Sequence, residues 1–286
     1  MFSLGKLNWT ILRRTLLVSV LLMTAVMGVI YPVSAQTSGT KTNTPAAPAA
    51  TATPTADLLQ SLLQAAQTTE EAGTGDTFSF AALLPGLHVE RGTDGAFIIG
   101  DPDAPITIVE FSDWACPHCQ EYRGVIEQVI TDYVVPGKAR FEFRMFPTAG
   151  GQQSAAFAVI AECADSMITD EDGVGYGFWL SIDVLYGMAE GGTYFTQEAL
   201  QTYADALGLD ADELLTCGRA AETPQVVTDI NFGDEAGVSG TPAVMVRHPS
   251  EEGLSAPEFI ELNGRQYAGG GVPYDVLAEV IEEANK

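Results

Sequence analysis

The chain has 286 residues, of which 38 are acidic and 13 are basic, giving a formal net charge of −25 at pH 7. A surface this acidic repels phosphate backbones and anionic lipid headgroups, so we do not expect nucleic-acid binding. Once a targeting segment is set aside, the length suits one large domain or a domain that carries an insertion.

The first 35 residues have the pattern of an export signal. Three basic side chains precede an almost wholly apolar stretch from Thr15 to Ile30, and Val33-Ser34-Ala35 forms a small-residue cleavage site. An uncleaved membrane anchor is the alternative, because the apolar stretch nearly reaches the roughly 17–25 residues that span a bilayer. Both interpretations predict that the remainder lies outside the cytoplasm, in the periplasm or at the cell surface.

Two segments of different composition follow. Residues 36–56 consist mainly of Thr, Ala and Pro and have too little apolar bulk to form a core, which predicts a disordered tether. Residues 57–91 form an N-terminal extension that begins with leucines at helical spacing over Asp57–Gln67. This stripe predicts a helix that packs on the domain, with dimerisation as the alternative. The main domain is predicted to occupy residues 92–286.

A strand, two cysteines and a helix form the centre of the sequence. Ile106–Phe111 is rich in β-branched and apolar residues and predicts a buried strand. Cys116 and Cys119 follow, and apolar residues at helical spacing then continue almost to Pro136. A strand that delivers Cys-x-x-Cys to the first turn of a helix is the arrangement used for dithiol redox chemistry.

The flanking sequence predicts a mixed sheet and a helical insertion. Residues 139–146 alternate apolar and charged side chains, which predicts a half-buried strand parallel to the first. An all-helical insertion is predicted at about residues 150–222, after which the chain returns to strands. The predicted helices lie at 152–168, 178–188, 196–207, 210–221, 224–236 and 273–284, and the further strands at 96–100, 243–247 and 258–263.

Each residue of the Cys-x-x-Cys motif has a chemical use. Cys116 stands at the start of the helix, where backbone N–H groups without partners and the helix dipole favour a thiolate. Pro117 suits the first helical position, which needs no N–H donor, and the imidazole of His118 can stabilise the neighbouring thiolate. Cys119 lies one turn further on and is the natural resolving thiol. We therefore expect disulfide exchange with Cys116 as the attacking sulfur.

The Cys-x-x-Cys motif has three alternative uses besides redox chemistry. Cys-x-x-Cys could be half of a zinc site, but Cys163 and Cys217 are single and far apart in sequence. Haem attachment requires His directly after the second cysteine, where this chain has Gln120. A purely structural disulfide between Cys116 and Cys119 is the third alternative. We predict no cofactor and no metal ion.

Two motifs resemble those of a known family. Phe111-Ser-Asp-Trp-Ala-Cys-Pro-His-Cys119 after a strand, the helical block, and Gly240-Thr241-Pro242-Ala-Val together resemble the DsbA-like branch of the thioredoxin superfamily, over roughly residues 92–285. The resemblance implies an α/β thioredoxin fold, with a central mixed sheet flanked by helices and an inserted all-helical subdomain. It also implies that Cys116 attacks, that Cys119 resolves, and that Thr241-Pro242 is a cis peptide facing the Cys116 sulfur, where a bound peptide can pair with the backbone.

Four further residues are candidates for a role. Glu110 lies six residues before Cys116 on the predicted central strand, where a buried carboxylate is costly unless it has a task. The resemblance implies that Glu110 is the buried acid that relays the proton of the resolving cysteine; an exposed Glu at a sheet edge is the alternative. Trp114 is predicted to shape the substrate groove. Cys163 and Cys217 favour a structural disulfide over a second, electron-relaying pair.

These features predict an extracytoplasmic thiol–disulfide oxidoreductase. Its substrates would be reduced or unfolded exported proteins, and a membrane redox partner of the DsbB or VKOR kind would reoxidise it. An isomerase or a reductase of the same fold stays open, because the resemblance places Thr before the cis proline in isomerases and in some oxidases alike. The alternative from another class is a tethered, non-catalytic module that binds a peptide or a metal.

Overall fold

The computed structural model describes residues 78–170, 173–192, 196–222, 224–251 and 253–286. The predicted signal or anchor, the predicted tether and the predicted helix at Asp57–Gln67 lie outside these residues. Within them, none of the helices combines the length and the apolar character needed to cross a bilayer.

The described residues form eight α-helices and nine strands. The helices are α1 (Phe80–Leu83), α2 (Pro117–Val129), α3 (Gly151–Met167), α4 (Gly177–Glu190), α5 (Gln197–Leu207), α6 (Ala211–Ala220), α7 (Gln225–Ala236) and α8 (Tyr274–Ala284). The strands are β1 (Val89–Arg91), β2 (Phe97–Ile99), β3 (Thr107–Ser112), β4 (Arg140–Met145), β5 (Ala243–Arg247), β6 (Pro249–Ser250), β7 (Gly253–Leu254), β8 (Glu258–Leu262) and β9 (Arg265–Tyr267). A 3₁₀ turn at Leu84–Gly86 follows α1, and a π-helical turn at Ile130–Val134 extends α2.

Seven of the described strands form one mixed sheet, in the order β1-β2-β4-β3-β5-β8-β9. β3 and β4 run parallel, whereas the other paired neighbours run antiparallel. β6 and β7 form a separate two-stranded hairpin. The predicted mixed sheet with an inserted block of helices is therefore confirmed.

The candidate site is built at the end of β3. This strand lies in the interior of the sheet between β4 and β5, and all of its residues are buried. Glu110 is in register with Phe143 of β4 and Val244 of β5. A short turn after Ser112 leads to Cys116 at the N-terminus of α2. A fully buried interior strand thus fixes the position of the Cys-x-x-Cys motif.

The helical insertion, α3 to α6, is anchored to the sheet by aromatic side chains and is crosslinked internally. The Trp179 ring of α4 is fully buried and lies 6.0 Å from the Phe141 ring of β4 and 5.3 Å from the Phe80 ring of α1, centroid to centroid. Cys163 of α3 and Cys217 of α6 form a disulfide, with their Cα atoms 6.0 Å apart. The block therefore has its own covalent connection between its first and last helix.

The prediction that β4 is half-buried is wrong, because both faces of the strand are buried. Glu142 and Arg144 have no exposed side-chain surface, and the Arg144 guanidinium donates to Glu142 at 2.7 Å. It also donates to Asp229 of α7 at 3.0 Å and to Asp94 at 2.5 Å. Alternation of apolar and charged residues normally indicates one solvated face, but here the charges are buried because they pair with one another. We call Glu142, Arg144, Asp94 and Asp229 the Arg144 network.

The sheet begins before residue 92. β1 pairs antiparallel with β2, and the side chains of Phe80 and Leu84 are 3% and 0% exposed. The sequence pattern does not predict α1 or β1, because elements of four and three residues are too short for a periodic signal. The last part of the N-terminal extension is thus packed into the core of the domain.

Replacing Arg144 with Leu is expected to lower the free energy of unfolding by about 3–5 kcal/mol, because Glu142 and Asp229 would keep buried charges without their main partner. Urea unfolding at pH 7 measures this loss. Arg265→Leu is the matched control: Arg265 is exposed and stacks on the Tyr267 ring, so a change within about 0.5 kcal/mol is expected. An Arg144 variant as stable as the control would show that the network contributes nothing.

Replacing Cys163 and Cys217 together with Ala is expected to lower the free energy of unfolding by about 4 kcal/mol, since the disulfide closes a loop with a sequence separation of 54. The same unfolding measurement applies, with a Cys116→Ala, Cys119→Ala variant as the control. A loss below about 1 kcal/mol would contradict a stabilising role for this crosslink.

Candidate active site

Two free thiols lie at the N-terminus of α2. Cys116 is the N-cap residue, in an extended conformation with φ −80° and ψ 120°, and Pro117 occupies the first helical position. The carbonyl of Cys116 accepts hydrogen bonds from the amides of Cys119 and Gln120 at 3.0 and 3.1 Å. Pro117 and His118 are exposed, whereas Cys116 is 5% and Cys119 0% exposed. Of the two cysteines, only Cys116 retains exposed surface.

The loop before β5 lies against the first cysteine. The Thr241-Pro242 peptide bond is cis, and the Cys116 thiol donates to the Thr241 carbonyl with a sulfur–oxygen distance of 3.5 Å. The Thr241 hydroxyl lies 2.6 Å from the hydroxyl of Thr148, and the Pro242 carbonyl accepts from the amides of Gly270 and Gly271 at 3.0 and 3.2 Å. Thr241 is partly exposed while Pro242 is buried. The structure thus brings two motifs 125 residues apart in sequence together at the Cys116 sulfur.

Glu110 lies beneath the cysteines and is 3% exposed. Burial raises the pKa of its carboxyl group from 4.5 to about 7, although a hydrogen bond from Ser112 and the charge of Arg123 act in the opposite direction. Burial likewise raises the pKa of Cys119 to about 12, and the nearby carboxylate of Glu110 adds to that rise. The Cys119 thiol is therefore protonated at neutral pH in the dithiol form, and it needs a base to react as a thiolate.

Two polar side chains of the helical insertion contact residues beside this carboxylate, and sequence reasoning missed them. The Arg123 guanidinium of α2 donates to Asp183 of α4 at 2.7 Å and to Glu127 at 2.5 Å. The Tyr186 hydroxyl, also of α4, lies 2.8 Å from the Ser112 hydroxyl. Asp183 and Tyr186 carry no motif, and only the fold shows that α4 packs here. Ser112 had a usable signal, because it lies two residues after Glu110 on β3. Residues two apart on a strand project from the same face of the sheet.

A small cavity connects these groups. It has a volume of about 20 Å³, which is enough for one water molecule. Its polar lining comes from Glu110, Arg123, Glu127 and Tyr186, and its apolar lining from Phe80, Ile126, Ile130, Phe141, Phe143 and Ile182. Arg123 and Glu127 have side chains 18% and 25% exposed, so the cavity lies between the buried carboxylate and the surface.

The substrate-groove role predicted for Trp114 does not fit its position. The Trp114 side chain is 0% exposed and stacks parallel to the Phe143 ring, with centroids 6.0 Å apart, so it belongs to the core. The neighbouring Asp113 shapes the turn instead. Its carboxylate accepts from the amides of Thr148 and Gly150 at 2.8 and 3.0 Å and from the hydroxyl of Ser154 at 2.7 Å. These bonds tie the turn before Cys116 to the start of α3.

The described residues contain no cluster of three or more His, Cys, Asp or Glu side chains that could hold a metal ion. The chemistry available at this site is that of two thiols, one buried carboxyl group and the hydroxyls around them.

A family model described as thioredoxin matches residues 92–261, which is more than half of the chain. The chain therefore belongs to the thioredoxin family. Among solved structures it is similar to α-DsbA1 from Wolbachia pipientis, with 21% identity, a TM-score of 0.51, and coverage of 68% of this chain and 92% of that one. It is also similar to oxidised BdbD from Bacillus subtilis, with 20% identity, a TM-score of 0.52, and coverage of 68% and 95%. The predicted DsbA-like thioredoxin fold is confirmed.

Curated relatives extend the comparison. The chain is 28% identical over 195 residues to Na⁺/H⁺ antiporter NhaA 3 from Salinispora tropica, covering 67% of this chain and 25% of the antiporter. It thus spans about a quarter of the length of that relative. It is 26% identical over 170 residues to the probable disulfide bond formation protein D of Bacillus anthracis, covering 57% of this chain and 73% of that protein.

Replacing Glu110 with Gln is expected to stabilise the fold at pH 8 and to change little at pH 4. The pKa of Glu110 is raised from 4.5 to about 7 in the folded state, so between these values the unfolded chain releases a proton that the folded chain retains. Stability therefore falls as the pH rises through this window, by about 3 kcal/mol at pH 8, and Gln removes that loss.

This experiment is best made in a Cys116→Ala, Cys119→Ala background, which leaves the Cys163–Cys217 disulfide intact and removes redox chemistry. Glu121→Gln is the control, because Glu121 is an exposed carboxylate on the same helix. Equal gains at pH 4 and pH 8 for the Glu110 variant would contradict a raised pKa and indicate a packing effect.

Proposed function

We propose that this protein is an extracytoplasmic thiol–disulfide oxidoreductase that introduces disulfides into exported proteins through Cys116 and Cys119. The observation that carries the proposal is the arrangement of the two thiols at the start of α2, with the Thr241 carbonyl against the Cys116 sulfur. The similarity to DsbA structures and to a probable disulfide bond formation protein supports the same activity.

In the oxidising direction the protein starts with a Cys116–Cys119 disulfide. A substrate thiolate attacks the Cys116 sulfur, because Cys119 has no exposed surface. The bond between the two cysteines breaks, and Cys119 leaves as a thiolate that takes up a proton. A second substrate thiolate then attacks the substrate sulfur of the mixed disulfide and displaces the Cys116 thiolate. The substrate gains a disulfide, and the protein is left as the dithiol.

The two sulfurs have different surroundings, which suits different roles. The Cys116 thiolate leaves next to the N-terminus of α2, where the helix dipole favours an anion, and beside the exposed His118. The Cys119 thiol is buried with Glu110 and has a pKa raised to about 12, so it is a poor thiolate without a base. Glu110, with a pKa of about 7, is the proton acceptor and donor for Cys119 at physiological pH.

Reoxidation requires a disulfide partner, which we propose is a membrane protein of the DsbB or VKOR kind. The Cys116 thiolate attacks the partner's disulfide and forms a mixed disulfide. Cys119, deprotonated by Glu110, then attacks Cys116 and releases the partner as a dithiol. Cys119 is the resolving thiol in this half of the cycle. The substrate chain is proposed to lie along the partly exposed Thr241, whose backbone can pair with an extended peptide.

Two observations support an extracytoplasmic location. The first 35 residues have the pattern of an export signal or anchor. The Cys163–Cys217 disulfide suits an oxidising compartment, since cytosolic disulfides are rare.

Replacing Cys116 with Ser in the full chain is expected to abolish oxidative refolding of reduced ribonuclease, and replacing Cys119 with Ser is expected to trap a mixed disulfide between Cys116 and substrate. The Cys163→Ala, Cys217→Ala variant is the control and should keep its activity. Full activity in the Cys116 variant would overturn the enzymatic assignment and favour the binding module.

The direction of electron flow is tested separately by the reduction potential of the Cys116/Cys119 pair. Equilibration with glutathione is expected to give a value near about −120 mV, as for a strong oxidant, whereas a value near about −270 mV would assign a reductase.

A further inference from the structure

Four residues from three separate segments form a closed ring of hydrogen bonds beside the Cys116 sulfur. The Cys116 amide donates to the Asp113 carbonyl at 2.8 Å, and the Cys116 thiol donates to the Thr241 carbonyl at 3.5 Å. The Thr241 hydroxyl lies 2.6 Å from the Thr148 hydroxyl, and the Thr148 amide donates to the Asp113 carboxylate at 2.8 Å. Thr148 belongs to the loop between β4 and α3, so the ring joins the motif, the entry to the helical insertion and the loop before β5.

The Asp113 carboxylate is the fixed point of this ring. It has no exposed surface, and each of its two oxygens accepts two hydrogen bonds. One oxygen accepts from the Ala115 amide and the Ser154 hydroxyl, and the other accepts from the amides of Thr148 and Gly150. A carboxylate has about four lone-pair sites, so these donors fill its acceptor capacity. The exposed Thr148 is thereby anchored through its backbone to a buried group.

Only one hydrogen bond of the ring depends on the redox state of the motif. Cys116 donates to Thr241 as a thiol, but it has no S–H group in the Cys116–Cys119 disulfide or in a mixed disulfide. The S–H group is also a weak donor, whereas 2.6 Å is at the short end of the range for two hydroxyls. In the disulfide form, which is the form that oxidises substrate, the connection within the ring between Thr241 and the motif therefore runs through Thr148 and Asp113.

We propose that Thr148, anchored by Asp113, is a positioning residue for peptide substrates and holds the Thr241 backbone in place against the Cys116 sulfur. This inference rests on the proposed function and deepens it. A substrate chain that pairs with the Thr241 carbonyl aligns its own cysteine with Cys116 only if that carbonyl is fixed relative to the sulfur. Both threonines are β-branched and stiff at χ1, so the contact between their hydroxyls restrains the backbone of Thr241.

The two hydroxyls lie on the surface that a substrate must approach. Thr148 and the neighbouring Ala149 are exposed, Thr241 is partly exposed, and the edge of Cys116 reaches the surface beside them. Replacing Thr148 with Val exchanges a hydroxyl for a methyl group of similar size at an exposed position, so we expect the fold to be kept. This substitution therefore tests the contact between the hydroxyls by itself.

The experiment compares two reductants of the oxidised full chain. One is a short unstructured peptide with a pair of cysteines, and the other is dithiothreitol, which has no backbone to pair with Thr241. Acid quenching, alkylation and peptide mapping by mass spectrometry follow the loss of the Cys116–Cys119 disulfide. Thr148→Val is expected to lower the rate constant with the peptide about fivefold, as for one net hydrogen bond, and to leave that with dithiothreitol within about twofold. Thr148→Ser, which keeps the hydroxyl, should restore the rate with the peptide.

Thr131→Val is the matched control, and a double variant tests the anchor. Thr131 is also exposed, and its hydroxyl donates to the Glu127 carbonyl at 2.9 Å in the turn that extends the far end of α2, so both rates should stay unchanged. Asp113→Ala removes the acceptor of the Thr148 amide and should slow reduction by the peptide at least as much as Thr148→Val. Combining the two substitutions should add nothing to the effect of Asp113→Ala, since both interrupt one chain of contacts.

The outcomes distinguish this inference from the proposed function. A wild-type rate with the peptide in Thr148→Val overturns the inference, and so does equal slowing with both reductants, which would mean that the hydroxyl affects the disulfide itself. In both cases the oxidoreductase assignment stands, because the wild-type chain still oxidises the peptide. If dithiothreitol reduces the wild-type Cys116–Cys119 disulfide and the peptide does not, the proposed function itself fails. If Asp113→Ala does not fold, Thr148→Val and its rescue by Thr148→Ser decide the question.

Discussion

The burial of the Glu110 carboxyl group is the constraint on which the rest of the site depends. A carboxylate in the interior of a sheet is stable only if it takes up a proton or is compensated by charge and hydrogen bonds. Here the compensation is incomplete. Arg123, the cation that lowers the pKa of Glu110, is itself engaged by Asp183 and Glu127. The carboxyl group is therefore left with a pKa of about 7, where it can exchange a proton at physiological pH.

On the other face of the same sheet, a buried carboxylate is paired directly with two guanidinium groups. Glu142 is as deeply buried as Glu110, yet it receives direct hydrogen bonds from Arg144 and from Arg247 at 2.7 and 3.0 Å. The register of β4 separates the two environments. Phe141 and Phe143 face the aromatic core beside Glu110, whereas Glu142 and Arg144 project from the opposite face, where Arg144 contacts Asp229 of α7. One face of β4 thus supplies apolar side chains that destabilise the charge of Glu110. The other face supplies two of the four residues of the Arg144 network.

The order of elements and the centre of the site follow from short-range sequence patterns. The run of β-branched residues before Cys116, the proline after it and the helical spacing beyond are local signals, and each corresponds to an element of the structure. The burial of β4 is different, because Arg144 also pairs with Asp229 of α7, which lies 85 residues further along the chain. Asp183 and Tyr186 were likewise not predictable, since their contacts with Arg123 and Ser112 are made across sequence separations of 60 and 74 residues. The prediction that Trp114 shapes a substrate groove was wrong, because its side chain is buried. The sequence near a cysteine motif does not distinguish an exposed aromatic residue from one stacked in the core.

The helical insertion therefore contributes side chains to the surroundings of the site as well as covering one side of the sheet. Its disulfide between α3 and α6 holds the block together, and the Trp179 ring packs it against β4. Through α4 it then presents Asp183 to Arg123 and Tyr186 to Ser112. The Asp183 carboxylate engages the Arg123 guanidinium, whose charge lowers the pKa of Glu110, and the Tyr186 hydroxyl lies within hydrogen-bond distance of the Ser112 hydroxyl. A change in the packing of α4 would alter the proton affinity of the site without touching either cysteine, so the stability of the insertion and the reactivity of the motif are physically coupled.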